Sequence, residues 1–312
     1  MLKHCVGIVT RGRWELTHQT LLSLFYSQQP KNSYDLYIID NCSPDKDINN
    51  LKKFVNSNML PIKGAIFLPS EATVSEAWNL FLSLAEKYEF RTKLDNDIVL
   101  KGTIPAISQK TVMNKPSPAD AGPNPGSIAS GPPLKGSNLN RVARHRKDKK
   151  ALQKFNHTRF LDHLEEFINE NNVGICSLVP CPEGVPFYQL KRILSSRLMG
   201  GRPYLVGGCT MISKSTFDKL GYFDERIPRR IDLEYSQRAI RNQINIGYHP
   251  IYYVKHMDKN HTENEAAFQA KIEQAMNIIQ TSPIETYSSS MWPKVVWKIL
   301  SASKNNKIIN VK

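Results

Sequence analysis

Along the first hundred residues the apolar positions follow two periods. The run Val6-Gly7-Ile8-Val9-Thr10 has the composition of a buried strand and ends at the polar Arg11-Gly12-Arg13. Leu16, Thr20, Leu21, Leu24 and Phe25 then recur at helical spacing, until Pro30-Lys31-Asn32-Ser33 stops the helix. A second strand over residues 34–41 closes on Asp40 and Asn41. A helix and the strand Ala65-Ile66-Phe67-Leu68 come next, then a helix over 72–88 with Ala77, Leu80, Phe81 and Leu84 on its apolar face. Strand–helix alternation of this kind predicts an α/β fold: a mostly parallel central sheet with helices on both faces. In such sheets ligands bind beyond the carboxyl ends of the strands. Thr10, Asp40 and Asp95 all fall at predicted strand ends.

Asp95 opens the most informative stretch, Lys93-Leu94-Asp95-Asn96-Asp97-Ile98-Val99-Leu100. If it is one strand, Asp95 and Asp97 project to the same side and are close enough to share a cation. Mg²⁺ and Mn²⁺ take oxygen ligands, and Mg²⁺ sites often combine one or two carboxylates with substrate phosphates. A polar turn after a short strand is the other interpretation.

After residue 110 the pattern breaks. Residues 110–150 hold six prolines and four glycines with few large apolar side chains, a composition that builds no core. The distal end is basic, with Lys135, Arg141, Arg144, His145, Arg146, Lys147, Lys149 and Lys150 against Asp148. It is either a solvated charged face or an arm for phosphate backbones. No aromatic residue is interleaved, so base stacking is not supported.

Order resumes with Phe160, Leu161, Leu164, Phe167 and Ile168 on a helix and a strand over 173–179. Another strand, over 205–212, carries Gly207 and Gly208, where another group can approach the backbone. A helix from Ser215 stopped by Gly221, an edge-like strand over 246–256 and a helix over 263–279 complete the pattern. The tail from Met291 to Leu300 is amphipathic and basic, suited to docking on the domain or to peripheral contact with an anionic membrane. The organisation expected is 1–109 as a first half-domain, 110–155 as a basic Pro/Gly-rich insertion, 156–262 as a second half and 263–312 as a C-terminal helical extension.

Composition narrows the class. The chain has 312 residues, 40% of them hydrophobic, enough for a sizeable core, and no apolar run reaches transmembrane length. The apolar part of the N-terminus is too short for a signal peptide, so a cytoplasmic location is expected. Five scattered cysteines form no CxxC pair and are expected to be reduced and mostly buried, without zinc. A net charge of +14, from 42 Lys+Arg against 28 Asp+Glu, favours an anionic partner.

Several of these stretches resemble family 2 glycosyltransferases of the GT-A (Rossmann-like) fold. The opening strand ending in Thr10, the Leu-rich helix and Ile38-Ile39-Asp40-Asn41-Cys42-Ser43 resemble that family's start. Ala77-Trp78-Asn79 is similar to its Ala-x-Asn, and Asp95-Asn96-Asp97 to its Asp-x-Asp. The resemblance covers roughly the first hundred residues and resumes near residue 160 with the glycine-containing strand and Gly221-Tyr222-Phe223-Asp224. It implies a nucleoside-diphosphate-sugar donor, typically a UDP-sugar, contacted by Thr10, Arg11, Asp40, Asn79 and Asp95. It implies Mg²⁺ or Mn²⁺ on Asp95 and Asp97, completed by a His after the last strand, His256 first and His261 second.

Asp232 falls on the second residue of the family's acidic pair, the usual general base, and Glu234 on the acid that follows. Ile231 replaces the first acid, a departure from the pattern. Asp232 also suits the N-cap of a helix. One base acting opposite the leaving group implies inversion. Gly208, Glu234, Arg144, Arg146 and Lys147 are the acceptor-side candidates. Family resemblance points to saccharide or lipid-linked acceptors, as in surface polysaccharide synthesis. The basic charge points to DNA carrying hydroxymethylated bases. A non-catalytic nucleic-acid or membrane-binding module is the third expectation.

Overall fold

The computed structural model describes residues 3–29, 33–102, 159–183, 198–199, 202–205, 207–257 and 265–281. The basic segment with Arg144, Arg146 and Lys147, His261 and the tail at 291–300 lie outside them.

Three strand–helix units and a fourth strand lead the chain: β1 His4–Thr10, α1 Trp14–Ser27, β2 Tyr34–Asp40, α2 Asp45–Asn56, β3 Ile62–Phe67, α3 Val74–Leu84 and β4 Phe90–Asp95. A short β5, Ile98–Gly102, turns back from β4. The second half contributes α4 Phe160–Asn171, β6 Ile175–Leu178, the hairpin β7 Leu198–Met199 and β8 Arg202–Pro203, β9 Cys209–Ser213, α5 Lys214–Leu220, α6 Ile231–Arg241, β10 Ile246–Tyr248, β11 Tyr252–His256 and α7 Glu265–Thr281. Seven strands form the central sheet in the order β10-β6-β9-β4-β1-β2-β3. All its pairings are parallel except those of β9, which runs antiparallel to β4 and β6. Both halves of the chain thus enter one sheet, the α/β architecture expected from the alternation.

Side-chain alternation along β1 sends Val6 and Ile8 to one face and Cys5 to the other. The first face packs α1, α2 and α4 through Leu21, Leu24, Phe54, Leu164 and Phe167. The second packs α3, α5, α6 and Ala275 of α7, around Trp78, Phe81, Phe217 and Tyr235. Gly7 sits where Phe81 crosses β1: a Cβ there would lie 2.4 Å from the ring. Gly7→Ala must displace α3 and should cost about 1–3 kcal/mol, read as a lowered midpoint in thermal or urea unfolding. An unchanged midpoint would mean that α3 is not seated as described. All five cysteines are unpaired, four of them buried. Among the described residues no helix is long and apolar enough to cross a membrane.

Three sequence expectations are corrected. Asp95 and Asp97 do not share a strand: β4 ends at Asp95, Asn96 and Asp97 form a turn, and β5 begins at Ile98. The strand expected over 246–256 is two strands in different sheets, because His249 Nδ1 accepts from the Ile251 and Tyr252 amides and turns the chain at Pro250. Gly207 and Gly208 precede β9 rather than lying within it.

Candidate active site

The carboxyl ends of β1, β2 and β4 lie side by side, with Thr10 the register partner of Asp40 and Val9 that of Asp95. The β4–β5 turn is fixed from below by α1. Asn96 donates to the hydroxyls of Thr10 (3.3 Å) and Thr17 (3.1 Å), which are 2.8 Å apart. Thr20 of α1 accepts from the Ile98 amide and donates to the Ile98 carbonyl, and Ser23 accepts from the Leu100 amide. A stripe of hydroxyls at i, i+3, i+6 thereby serves β5 as a neighbouring strand would. The far edge of β5 pairs antiparallel with β11, His256 opposite Ile98. The Met257 amide donates to the Asp97 carbonyl, bringing the end of β11 to the turn.

This framework gives the two carboxylates different surroundings. Asp97 Oδ1 lies 3.5 Å from His256 Nε2, and its Oδ2 3.5 Å from the Arg13 guanidinium. Asp95 has both oxygens engaged, Oδ1 by Lys93 Nζ at 2.7 Å and Oδ2 by the Gly208 amide at 2.8 Å. No group of three His, Cys, Asp or Glu side chains placed to hold a metal ion occurs among the described residues. Asp97 and His256 are a carboxylate and an imidazole near one another at the crevice rim, two groups that could hold a cation. Two protein donors suffice for a cation that completes its sphere with substrate phosphates and water.

Across the crevice, Gly208 has φ +114°, and a Cβ on it would meet Val254 at 2.9 Å. Its conformation lets its carbonyl accept from the Asp95 amide while its own amide binds the Asp95 side chain. Gly207 stands between two carboxylates: a Cβ there would be 3.4 Å from Asp232 Oδ2 and 3.5 Å from Asp95 Oδ2. Asp232 occupies the first turn of α6 but does not cap it. The N-cap is Arg230, left-handed at φ 61°, with no side-chain cap bond. Asp232 Oδ1 is buried and has no hydrogen-bond partner among the described residues; the nearest cation is Lys93 Nζ, at 3.8 Å. Burial pushes the Asp232 carboxyl above the usual carboxylate range; Lys93 pulls it down and Asp95 pushes it further up. Burial also works against the Lys93 ammonium, but Asp232 and Asp95 outweigh it and hold the group protonated.

At the end of β2, Asp40 is buried and accepts from the Ser43 amide. Burial raises its carboxyl, and the Ser43 bonds offset part of that. Asn41 clamps the Ala72 backbone, and Ser43 accepts from the Gly12 amide. Arg11 pairs with Glu71 from the loop after β3, so the pair spans the end of β2 above Asp40.

Three expected ligand residues are occupied elsewhere. The Asn79 amide exchanges two hydrogen bonds with the Phe223 backbone and donates to Glu225, so it ties α3 to the loop before α6. The Thr10 hydroxyl belongs to the Asn96–Thr17 network. Both Glu234 oxygens bind the buried Arg238, whose remaining donors hold the Leu220 and Tyr222 carbonyls. Sequence inspection also missed Lys93, 4% exposed and 4.8 Å from the centre of the Trp78 ring. Its signal was a lysine two residues before Asp95, which on a strand places the two side chains on the same face.

No protein-family model matches the chain, and neither does the sequence of any curated protein. Solved structures do. S. aureus TarS 1–349 in complex with UDP aligns over 98% of this chain and 73% of its own, with TM-score 0.50 and 15% identity. Against the longer TarS chain the match spans 44% of that chain's length. The mannosyltransferase PcManGT from Pyrobaculum calidifontis, in complex with GDP-Man and Mn²⁺, aligns over 98% and 76%, with TM-score 0.54 and 11% identity. GalNAc-T7 with UDP, GalNAc and Mn²⁺ aligns over 96% and 55%, with TM-score 0.55 and 12% identity. At these identities the likeness concerns the backbone, and it establishes a GT-A-like fold for this chain.

Proposed function

We propose that this protein is a glycosyltransferase that moves a sugar from a nucleoside-diphosphate sugar, a UDP-sugar in the simplest case, to an acceptor hydroxyl with inversion. The observation that carries this reading is the Asp232 carboxylate, with one buried, unpartnered oxygen, facing Asp95 across Gly207. Asp40 accepts hydrogen bonds from the nucleobase, with Arg11 beside it. Asp97 and His256 hold the divalent cation, Mg²⁺ or Mn²⁺, which when bound supplies Lewis-acid neutralisation of the departing diphosphate. Arg13, already at Asp97, adds positive charge beside the phosphates. Asp95 orients the Gly208 backbone and, with it, the floor on which the sugar rests. Asp232 takes the proton from the acceptor hydroxyl as that oxygen attacks the anomeric carbon. The UDP, GDP-Man and Mn²⁺ bound in the structural neighbours support a nucleotide-sugar donor and a divalent cation for this crevice.

For the acceptor, the support is charge. At +14 the chain suits a polyanion, and we take it to be DNA carrying hydroxymethylated bases. Each neutralised phosphate releases counterions, so log K should fall with log salt by about 0.9 per contact. Replacing Arg144, Arg146, Lys147 and Lys149 with Ser should weaken duplex binding and flatten that slope by up to roughly four contacts' worth. Metal-dependent hydrolysis of the donor to water should survive in the same variant. Negligible binding by both proteins, or identical slopes, would move the acceptor to a saccharide or lipid-linked glycan. Absence of hydrolysis across a panel of nucleotide sugars, with and without Mn²⁺, would leave a binding module in place of an enzyme.

A further inference from the structure

The side chain of Lys93 joins two parts of the crevice that come from opposite halves of the chain. It rises from β4, is nearly fully buried, and rests over the Trp78 ring of α3 at 4.8 Å. Its Nζ donates to Asp95 Oδ1 at 2.7 Å and stands 3.8 Å from Asp232 Oδ1 on α6. We propose that Lys93 is a positioning residue for the general base: anchored by Asp95 and by the Trp78 face, its ammonium fixes where the Asp232 carboxylate stands. The proposal rests on reading Asp232 as the base.

The geometry suits that task. A lysine head is a compact charge on a flexible stem, and its aim is usually poorly defined. Here the stem is buried on the face of the sheet that α3 covers, and the head is held on two sides, by a charge-assisted hydrogen bond and by an aromatic face. At 3.8 Å the ammonium attracts Asp232 Oδ1 without a hydrogen bond, and Oδ1 has no other partner among the described residues. The oxygen is therefore held in place by the field and keeps its lone pairs for the substrate. Oδ2 is flanked by Gly207, where a side chain would reach it at 3.4 Å. A carboxylate without this anchor could rotate about its χ angles. Misplacing a reacting group by about 1 Å can cost 10²-fold in rate.

In the reaction itself Lys93 gives and takes no proton. The acceptor oxygen forms the new bond to the anomeric carbon, and its proton passes to Asp232. The bond from that carbon to the diphosphate oxygen breaks, and its electron pair leaves with the diphosphate. Lys93 remains an ammonium throughout, facing Asp232 before and after the transfer.

The test is a double-mutant cycle on the full-length chain, with transfer and donor hydrolysis measured at saturating donor. Lys93→Met keeps the length of the side chain and removes its charge. In the wild-type background it should lower kcat by about 10²-fold, the scale of a misplaced group. In an Asp232→Asn background the same change should cost less than about twofold, because the base it serves is already gone. Lys93→Arg keeps the charge and should recover part of the loss. If Lys93→Met does not fold by circular dichroism, Lys93→Arg carries the same cycle, with a smaller loss that must also vanish beside Asp232→Asn. Equal losses in the two backgrounds, or a kcat unaffected by Lys93→Met, would overturn the proposal while leaving the glycosyltransferase reading standing. A wild-type protein that turns over no nucleotide sugar would overturn both.

Discussion

Asp232→Asn should lower turnover by ~10²–10⁴-fold, the usual contribution of a general base, with donor affinity by calorimetry nearly unchanged. The amide is almost the same shape as the carboxylate, so the fold should be untouched, and it cannot accept the acceptor proton. The same group sets an acid limb on the rate. Burial raises the Asp232 carboxyl above its ordinary range. The active form is the ionised one, so transfer should fall on acidification at a higher pH than an exposed aspartate would give. Removing the carboxylate should abolish that limb. Normal turnover by the variant would assign the base elsewhere and leave Asp232 as a structural acid at the start of α6.

Asp97→Ala should abolish transfer while leaving the unfolding midpoint near that of the wild type. The Asp97 carbonyl accepts from the Met257 amide, and the substitution leaves that backbone bond in place while removing the carboxylate from beside Arg13 and His256. What is lost is the carboxylate opposite His256, and with it the neutralisation of the departing diphosphate, an effect worth several kcal/mol in comparable sites. Isothermal titration with Mn²⁺ and UDP should show the paired loss of both ligands. Full activity of this variant in the presence of EDTA would sink the assignment of Asp97 and His256 as cation donors.

Much of the fold was legible because the period of the pattern carries it. β1, β2, α1, α3 and the order of the first half follow from runs of apolar residues and their spacing. The Asp95–Asp97 turn was less so. Leu-Asp-Asn-Asp-Ile alternates in a way that fits either a strand or a strand, a turn and a second strand. What decides between them is Asn96 bonding to Thr10 and Thr17, residues far away along the chain. The break in the strand after Tyr248 depends on a histidine side chain bonding its own loop. Residue types alone also did not reveal the partners of Asn79 and Glu234. Both are polar residues near the crevice, but one is saturated by a backbone segment and the other by a buried arginine. Lys93 escaped notice for the opposite reason: a lysine in a strand usually points to water, and only the third dimension reveals two carboxylates and an indole around it.

The hydroxyl stripe on α1 also guards against misalignment. A two-stranded ribbon can slide, and a slip of two residues would carry His256 about 6.6 Å along from Asp97, at roughly 3.3 Å per residue, without turning a single side chain to the wrong face. Pairing between β5 and β11 does not itself penalise that error, since every ladder bond could be remade. Bonds to groups outside the ribbon do: on β5, Thr20 grips both the amide and the carbonyl of Ile98 and Ser23 holds the amide of Leu100, while on β11 the Val254 amide donates to the Val179 carbonyl and the Val254 carbonyl accepts from the Cys181 amide. Each strand is indexed to a different neighbour, β5 to α1 and β11 to the chain just after β6. One end of the spacing between imidazole and carboxylate at the rim is thus set by a fully buried threonine on α1.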